Sequence, residues 1–388
     1  MYTLYAVCAP GLEPFIAREL DQLGLTTSHS PLQHASTKRK SEDEVGGAEF
    51  HASLRDVYRA NLHLRTASRV LVRLRSFKAS LFPELRRKAA RLPWEHHLAP
   101  GQPVALRVAC HTSRLYHAGA VAERVAGAIG DRLGQPPPLQ KFNENAGKSL
   151  PQLILVRLVE NHCTISVDSS GGLLHRRGYR LATAKAPLRE TLAAGMLLAS
   201  GWDTASPLLD PFCGSGTIPI EAALLARQFP PGRDRRFAFM DWPNFKAGTW
   251  ETVIADARAA KVSTLPRIIA SDRDAGAVRS AKANAERAAV TDCIEFSCRA
   301  VSGIEPPPGP GWVVTNPPFG VRTSSKRDLR NLYAQFGKVL HTKCPGWHLA
   351  LLCGSLQPLR GTGLSLDRGI PLMNGGLRVK LTVGRVKG

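Results

Sequence analysis

Three short stretches of the 388-residue chain combine residue types that can do chemistry on a small ligand. The first is SPLLDPFCGSGTIPIEAALLA, residues 206 to 226, where an apolar run meets an acid, a glycine-rich turn and a helical pattern. Gly214 and Gly216 let backbone approach a ligand closely, and the helix start beyond them offers free N–H groups and a positive dipole end. A dinucleotide fingerprint would read GxGxxG, but Pro219 stands where the third glycine would be and Asp210 opens the turn. A buried acid there repels a pyrophosphate and suits an ammonium group. The ligand that offers an ammonium, a carboxylate and a ribose together is S-adenosylmethionine. The bland alternative is an ordinary strand-to-helix turn.

The second stretch is SDRD at the end of the next strand-like run, with Asp272 and Asp274. An acid at such a strand end takes ribose hydroxyls in doubly wound nucleotide folds, and Asp272 lies nearer the strand. The third is WVVTNPPFGVR, residues 312 to 322. Two consecutive prolines remove two backbone donors and stiffen the chain. The Asn316 side-chain oxygen and the Pro317 carbonyl are then placed to accept both hydrogens of a planar NH₂, with Phe319 stacking on the ring that carries it. This suits methylation of an exocyclic amine, in which proximity and orientation do most of the catalysis and no covalent nucleophile is needed. Cys213 therefore reads as a small packing residue. An isolated Asn-Pro turn is the competing reading of the third stretch.

These motifs need a strand and helix alternation to hold them. From about residue 186 the pattern supplies one: a helix over 187–200, a strand over 207–209, a helix over 219–227, a strand over 267–271 and a helix over 275–288. Such alternation implies a parallel, doubly wound sheet with ligands at the carboxyl ends of its strands. The 62 residues from Asp210 to Asp272 exceed a simple unit, which places a helical insertion at about 228–262, including DWPNFKAGTW. Residues 2–8 read as a strand, 13–23 as an amphipathic helix, 54–64 as a helix, 68–77 and 103–110 as strands, 113–133 as a strand end plus helix, and 153–170 as a hairpin. The first half is thus α+β. Residues 28–47 are polar, carry a basic and an acidic run, and read as a flexible loop.

Charge is unevenly spread. The chain holds 52 Lys and Arg against 31 Asp and Glu, a net +21. Residues 51–150 have an excess of +11 and residues 301–388 of +9, while 201–300 are nearly balanced. Two basic regions flanking a neutral one point to a nucleic acid bridging both ends of the molecule. A solvated arginine-rich surface is the alternative. Eight scattered cysteines without CxxC spacing argue against a disulfide framework or a zinc cluster, and no histidine spacing suggests a metal. No stretch reaches the apolar length of a bilayer span, and the start lacks the basic region of a secretory leader. A soluble, cytoplasmic protein is expected, with a monomer favoured and the oligomeric state left open.

The three motifs, with LLHRRGYR (173–180) and APLRETLAAGML (186–197), resemble the RNA guanine-N2 methyltransferases that carry an N-terminal THUMP domain, in particular those acting on bacterial 23S rRNA, in an unfused, single-methyltransferase form. The similarity runs from YAVCAPGLEPFIARELDQLG to NGGLRVKLTVGRV. It implies a ferredoxin-like region over 1–64, a THUMP RNA-binding domain over 65–168, a linker over 169–184, and a class I, Rossmann-like methyltransferase domain over 185–388. Carried over by position, Asp210, Cys213, Gly214, Ser215, Gly216, Asp272 and Thr191 bind S-adenosylmethionine, and Asn316, Pro317 and Phe319 hold the guanine amine. Where the family has an acid that accepts from the cofactor's adenine amine, this chain has Ala300. A water or backbone carbonyl would replace that hydrogen bond at about 0.5–1.5 kcal/mol. Arg65, Arg69, Arg73, Arg75, Arg107, Arg114, Arg176, Arg177 and Arg180, with Arg86, Arg87 and Lys88, form the expected RNA grip. The substrate expected is 23S rRNA or a ribosomal precursor. A tRNA guanine-N2 enzyme and a catalytically silent RNA-binding assembly factor are the alternatives.

Overall fold

The computed structural model describes residues 1–27, 46–144, 150–181, 188–260, 262, 265–319, 326–355, 357, 359 and 362–387. Most of the 28–47 segment read as a loop lies outside the described residues, except that Gly47 opens a strand not foreseen in the sequence.

The N-terminal half is one six-stranded sheet with helices against it. Its strands are β1 (Tyr2–Cys8), β2 (Gly47–Ala52), β3 (Ala67–Lys78), β4 (Val104–His111), β5 (Gln152–Val159) and β6 (His162–Asp168), in the order β2-β1-β3-β6-β5-β4. All neighbours are antiparallel except β4 and β5. The helices are α1 (Glu13–Gln22), α2 (Leu54–His63), α3 (Phe82–Ala89) and α4 (Ala118–Leu133). Strand alternation buries Leu4, Ala6, Val70, Val72, Ile154, Val156, Ile165 and Val167 in the same core as the apolar sides of these helices. Helix α2 starts where Ser53 and Asp56 cap each other's backbone N–H groups. Helix α4 stops at Gly134, whose φ of +80° few other residues adopt.

The alternate residues of these strands turn to the opposite face, where Leu71, Leu153 and Ser166 are buried and Arg107 and Ala109 are exposed. Paired across β3, β6, β5 and β4, Arg73, Ser166, Leu155 and Arg107 form one row, and Ser76, Thr164, Arg157 and Ala109 the next.

The C-terminal half is a doubly wound sheet. Its strands are β7 (Leu208–Asp210), β8 (Ile268–Asp272), β9 (Ile294–Cys298), β10 (Trp312–Thr315), β11 (His348–Cys353), β12 (Ser365–Leu366), β13 (Ile370–Asn374) and β14 (Leu377–Arg385). The order is β12-β14-β11-β10-β7-β8-β9, with β13 on β14; β7 to β11 run parallel, and β14 is antiparallel to β11. Its helices are α5 (Glu190–Ala199), α6 (Thr217–Ala226), α7 (Ala247–Ala259), α8 (Ala275–Arg287) and α9 (Lys326–Lys343). After β7 the chain builds outward through β8 and β9, then returns to lay β10 on the opposite side of β7. That reversal opens a crevice at the carboxyl ends of β7 and β10. No described helix is long and apolar enough to cross a membrane.

The segment between β7 and β8 joins the halves. Tyr58 of α2 stacks on Phe239 with ring centres 4.5 Å apart, beside Phe245 and Trp250. The Trp242 indole donates to the Gln152 side chain on β5 at 2.8 Å and stands edge-on to His97. Arg235 donates to the carbonyls of Gly172, Leu173 and Arg176, fixing the stretch that leads out of β6.

Candidate active site

Asp210 ends β7 at 1% exposure. One of its oxygens, Oδ1, accepts from the Phe212 N–H at 3.2 Å and from the Thr315 hydroxyl at 2.5 Å. Thr315 ends β10, so this bond ties together the two strands that flank the crevice. The other oxygen, Oδ2, is buried and has no partner among the described residues. Burial pushes the Asp210 carboxyl up to about 7, and the nearby Asp272 carboxylate adds to the rise. A carboxyl held this way is set to become fully charged when a cation arrives.

Beyond Asp210 the chain turns through Cys213, Gly214, Ser215 and Gly216 into α6. The Cys213 N–H donates to the Ser271 carbonyl at 3.0 Å, which anchors the turn to the end of β8. Burial drives the Cys213 thiol well above its ordinary range, so it is no thiolate nucleophile. Gly214 has φ +53° with open space where a Cβ would project, and its N–H donates to Asp272 Oδ2 at 3.0 Å. Gly216, the residue before α6, has φ +85°, and a Cβ there would meet the Ala281 Cβ at 3.0 Å. The first glycine thus keeps the turn open in front, and the second lets α8 close behind it.

Asp272 ends β8. Its Oδ1 accepts from the Asp274 N–H at 3.0 Å, and Asp274 is itself occupied in capping α8 through Gly276 and Ala277. Of the two acids, only Asp272 adjoins the glycine turn. Ala300 is exposed, and its carbonyl accepts from the Gly303 N–H at 2.9 Å. Near it, Ser271, Ser297 and Arg299 line a cavity of about 250 Å³.

Asn316 follows β10 directly. Its side-chain oxygen is buried and has no partner among the described residues. Pro317 is buried, and the Pro318 carbonyl accepts from the Tyr333 hydroxyl at 3.3 Å, which braces the proline pair from α9. Phe319 is half-buried against Gly354, just past β11, where a Cβ would meet its ring at 3.0 Å. Thr191 is buried in the first turn of α5, a helix that packs on α6. The crevice therefore holds two buried acceptors, Asp210 Oδ2 and Asn316 Oδ1, without partners among the described residues, at the ends of adjacent strands. Thr315 and Gly354 were not singled out in the sequence, although Thr315 is the residue before Asn316.

The arginines divide. Arg65, Arg69 and Arg177 are buried and are corrected from RNA contacts to structural groups. Arg65 donates to the carbonyls of Leu224 and Phe229, capping the end of α6. Arg69 pairs with Asp168 and Glu144, and Arg177 donates to the carbonyls of Leu174 and Arg65 beside Glu221. Arg180 is half-buried on Glu190 and the Leu188 carbonyl. Arg73 pairs with Glu49 over the Tyr5 ring, and exposed Arg176 reaches Glu144. Arg86 is exposed and paired with Asp131, and Lys88 pairs with Glu84. Arg75, Arg87, Arg107 and Arg114 are exposed. Arg157, missed in the sequence, is half-buried on the same sheet face as Arg107. A cavity of about 710 Å³ opens at the junction of the halves, lined by Gln102, Gly172, Arg176 and Arg236; it shares no residue with the glycine turn.

A doubly wound sheet with a glycine turn after its first strand, an acid after its second and an Asn-Pro-Pro-Phe cradle after its fourth defines a class I methyltransferase. The residues match the family models of the THUMP domain over 79–168, the RlmL ferredoxin-like domain over 36–71 and the RMKL-like methyltransferase domain over 177–382. The chain belongs to the RMKL-like methyltransferase family. It is 32% identical over 378 residues to slr0064 of Synechocystis sp., which is named as an RNA methyltransferase, covering 96% of this chain and 94% of that protein. It is 34% identical over 392 residues to the ribosomal RNA large subunit methyltransferase K/L of Syntrophotalea carbinolica, covering 97% of this chain and 52% of the relative. The chain thus spans about half the length of its K/L relatives. Among solved structures, the methyltransferase SMU.472 complexed with S-adenosylhomocysteine superposes with a TM-score of 0.84 at 26% identity, covering 100% of this chain and 98% of that one.

Proposed function

We propose that this chain is an S-adenosylmethionine-dependent RNA methyltransferase that modifies the N2 amine of a guanosine in 23S rRNA. The observation that carries the reading is the pair of buried acceptors, Asp210 Oδ2 and Asn316 Oδ1, that have no partner among the described residues at the switch point of the sheet. Buried polar atoms are normally satisfied, so two orphans in one crevice call for two donors from ligands. The donor set fits S-adenosylmethionine. Asp210 faces an ammonium, the N–H groups beyond Gly214 and Gly216 face a carboxylate, and Asp272 takes ribose hydroxyls. Bound there, the cofactor supplies a methyl group activated by a sulfonium.

The chain's own part is to hold the amine. Asn316 accepts one N–H and the Pro317 carbonyl the other, which orients the nitrogen lone pair away from the cradle. Phe319 stacks on the base, and the Tyr333 bond to Pro318 limits drift of the cradle. Residues 1–168 form the RNA-holding unit and 185–388 the catalytic unit, with Arg107, Arg157 and Arg75 offering phosphate contacts. The likeness to slr0064 and to the K/L enzymes supports RNA as the substrate class.

The test is transfer of a radiolabelled methyl group to RNA from a strain lacking the protein, followed by nucleoside analysis. N2-methylguanosine in 23S rRNA is expected. The label in tRNA would shift the substrate, and N6-methyladenosine or no transfer would refute the reading.

A further inference from the structure

A second set of polar groups approaches the glycine turn from behind. Asn284 on α8 is fully buried, and its side-chain amide donates to the Ser215 carbonyl, inside the turn, at 2.9 Å. Its Oδ1 accepts from the Arg287 guanidinium, one turn further along α8. The same guanidinium donates through Nε to the backbone carbonyl of Tyr179 at 2.7 Å. Tyr179 belongs to the stretch leading from β6 into the methyltransferase half. Its hydroxyl donates to Glu221 on α6 at 3.0 Å, and Arg177, beside Glu221, donates to the Arg65 carbonyl just before β3. Polar contacts therefore link Arg65, just before β3, through Glu221 and the linker residue Tyr179 to the carbonyl of Ser215.

We propose that Asn284 and Arg287 are positioning residues that hold the glycine turn in its binding shape and hitch it to the linker from the N-terminal half. The physical case is local. A turn through two residues with positive φ has little side-chain packing of its own, so its shape depends on what its backbone groups bond to. Cys213 N–H to Ser271 fixes one side and Asn284 to Ser215 fixes the other. The close approach of Ala281 to Gly216 shows that α8 is the wall against which the turn rests. Asparagine is required because it must donate to a carbonyl and accept from an arginine at once. The inference rests on the turn being the S-adenosylmethionine site.

Asn284→Asp tests it, since the aspartate keeps the size and the Arg287 partner but sets an oxygen against the Ser215 carbonyl. Binding of S-adenosylhomocysteine is measured by calorimetry, with hydrogen exchange at the turn amides. We expect the dissociation constant to rise about ten-fold or more, the KM for S-adenosylmethionine to rise with kcat within about two-fold, and exchange at residues 213–216 to quicken. Arg287→Lys, which cannot reach both carbonyl oxygens, gives a smaller rise in the same direction. Tyr179→Phe keeps the Tyr179 carbonyl while losing the Glu221 bond, and lowers stability with cofactor affinity unchanged. Unchanged affinity in Asn284→Asp, or an equal loss in Tyr179→Phe, would overturn the proposal. If the unaltered chain binds no S-adenosylhomocysteine, the cofactor reading fails instead.

Discussion

At the residue scale two acceptors carry different tasks. In the proposed roles Asn316 meets the substrate amine and not the cofactor, so Asn316→Ala should abolish methyl transfer and leave the dissociation constant of S-adenosylhomocysteine within about two-fold. Asp272→Ala should do the reverse, weakening cofactor binding roughly 10- to 100-fold, the size of hydrogen bonds to a charged group. Calorimetry with a transfer assay separates them, and matching losses in both variants would contradict the roles. Asp210 makes a pH prediction. Its carboxyl in the folded, ligand-free chain titrates at about 7, whereas an unfolded aspartate titrates near 4. Between those values the native state holds the extra proton, so this group makes stability fall as pH rises across the window and level off above it. Asp210→Asn should flatten that slope in urea unfolding between about pH 5 and 8; an unaltered slope would refute the assignment.

The same scale shows where the sequence stops being legible. Asp210, Asp272 and Asn316 stand out because each stands at the carboxyl end of an apolar strand in an alternation of strands and helices. The arginines do not. An arginine at a strand start can meet solvent or spend its five donors on buried carbonyls, and the sequence is the same for both. Arg65 and Arg177 do the latter, which is invisible until the end of α6 and the linker are brought beside them.

At the element scale, long periodic segments such as α4, β5 and β6 match their patterns, whereas β2 and β9 are hidden. GAEFHA and IEFSC are short and mix charge with apolar residues, and what makes them strands is the edge they pair with. The segment between β7 and β8 is readable in the sequence only as an insertion. Its aromatic residues in fact dock the methyltransferase half on α2 and β5. Trp242→Ala should therefore cost about 3–5 kcal/mol of stability by leaving a buried cavity and an unpaired Gln152 oxygen. Equilibrium urea unfolding measures this, and a cost under about 1 kcal/mol, typical of a surface site, would mean the docking is superficial.

At the scale of the whole molecule, the excess of 21 positive charges is only partly available to a polyanion. Buried Arg65, Arg69 and Arg177 are spent on carbonyls and carboxylates within the chain, and the exposed Arg75 and Arg107 are among the proposed RNA contacts. Charge reversal at Arg75 and Arg107 together should weaken RNA binding and flatten its dependence on salt by roughly 0.7–0.9 in the log–log slope for each phosphate that is no longer neutralised. Unchanged slopes would place the RNA elsewhere. Arg177→Ala should instead lower stability, through the stranded Glu221.

The most direct test of the central claim is a crystal structure of this chain with S-adenosylhomocysteine. The prediction is the ligand ammonium against Asp210, its ribose hydroxyls within about 2.6–3.2 Å of Asp272, and its sulfur facing the Asn316 side chain across an open crevice. A ligand bound outside the glycine turn, or a sulfur walled off from Asn316, would contradict it.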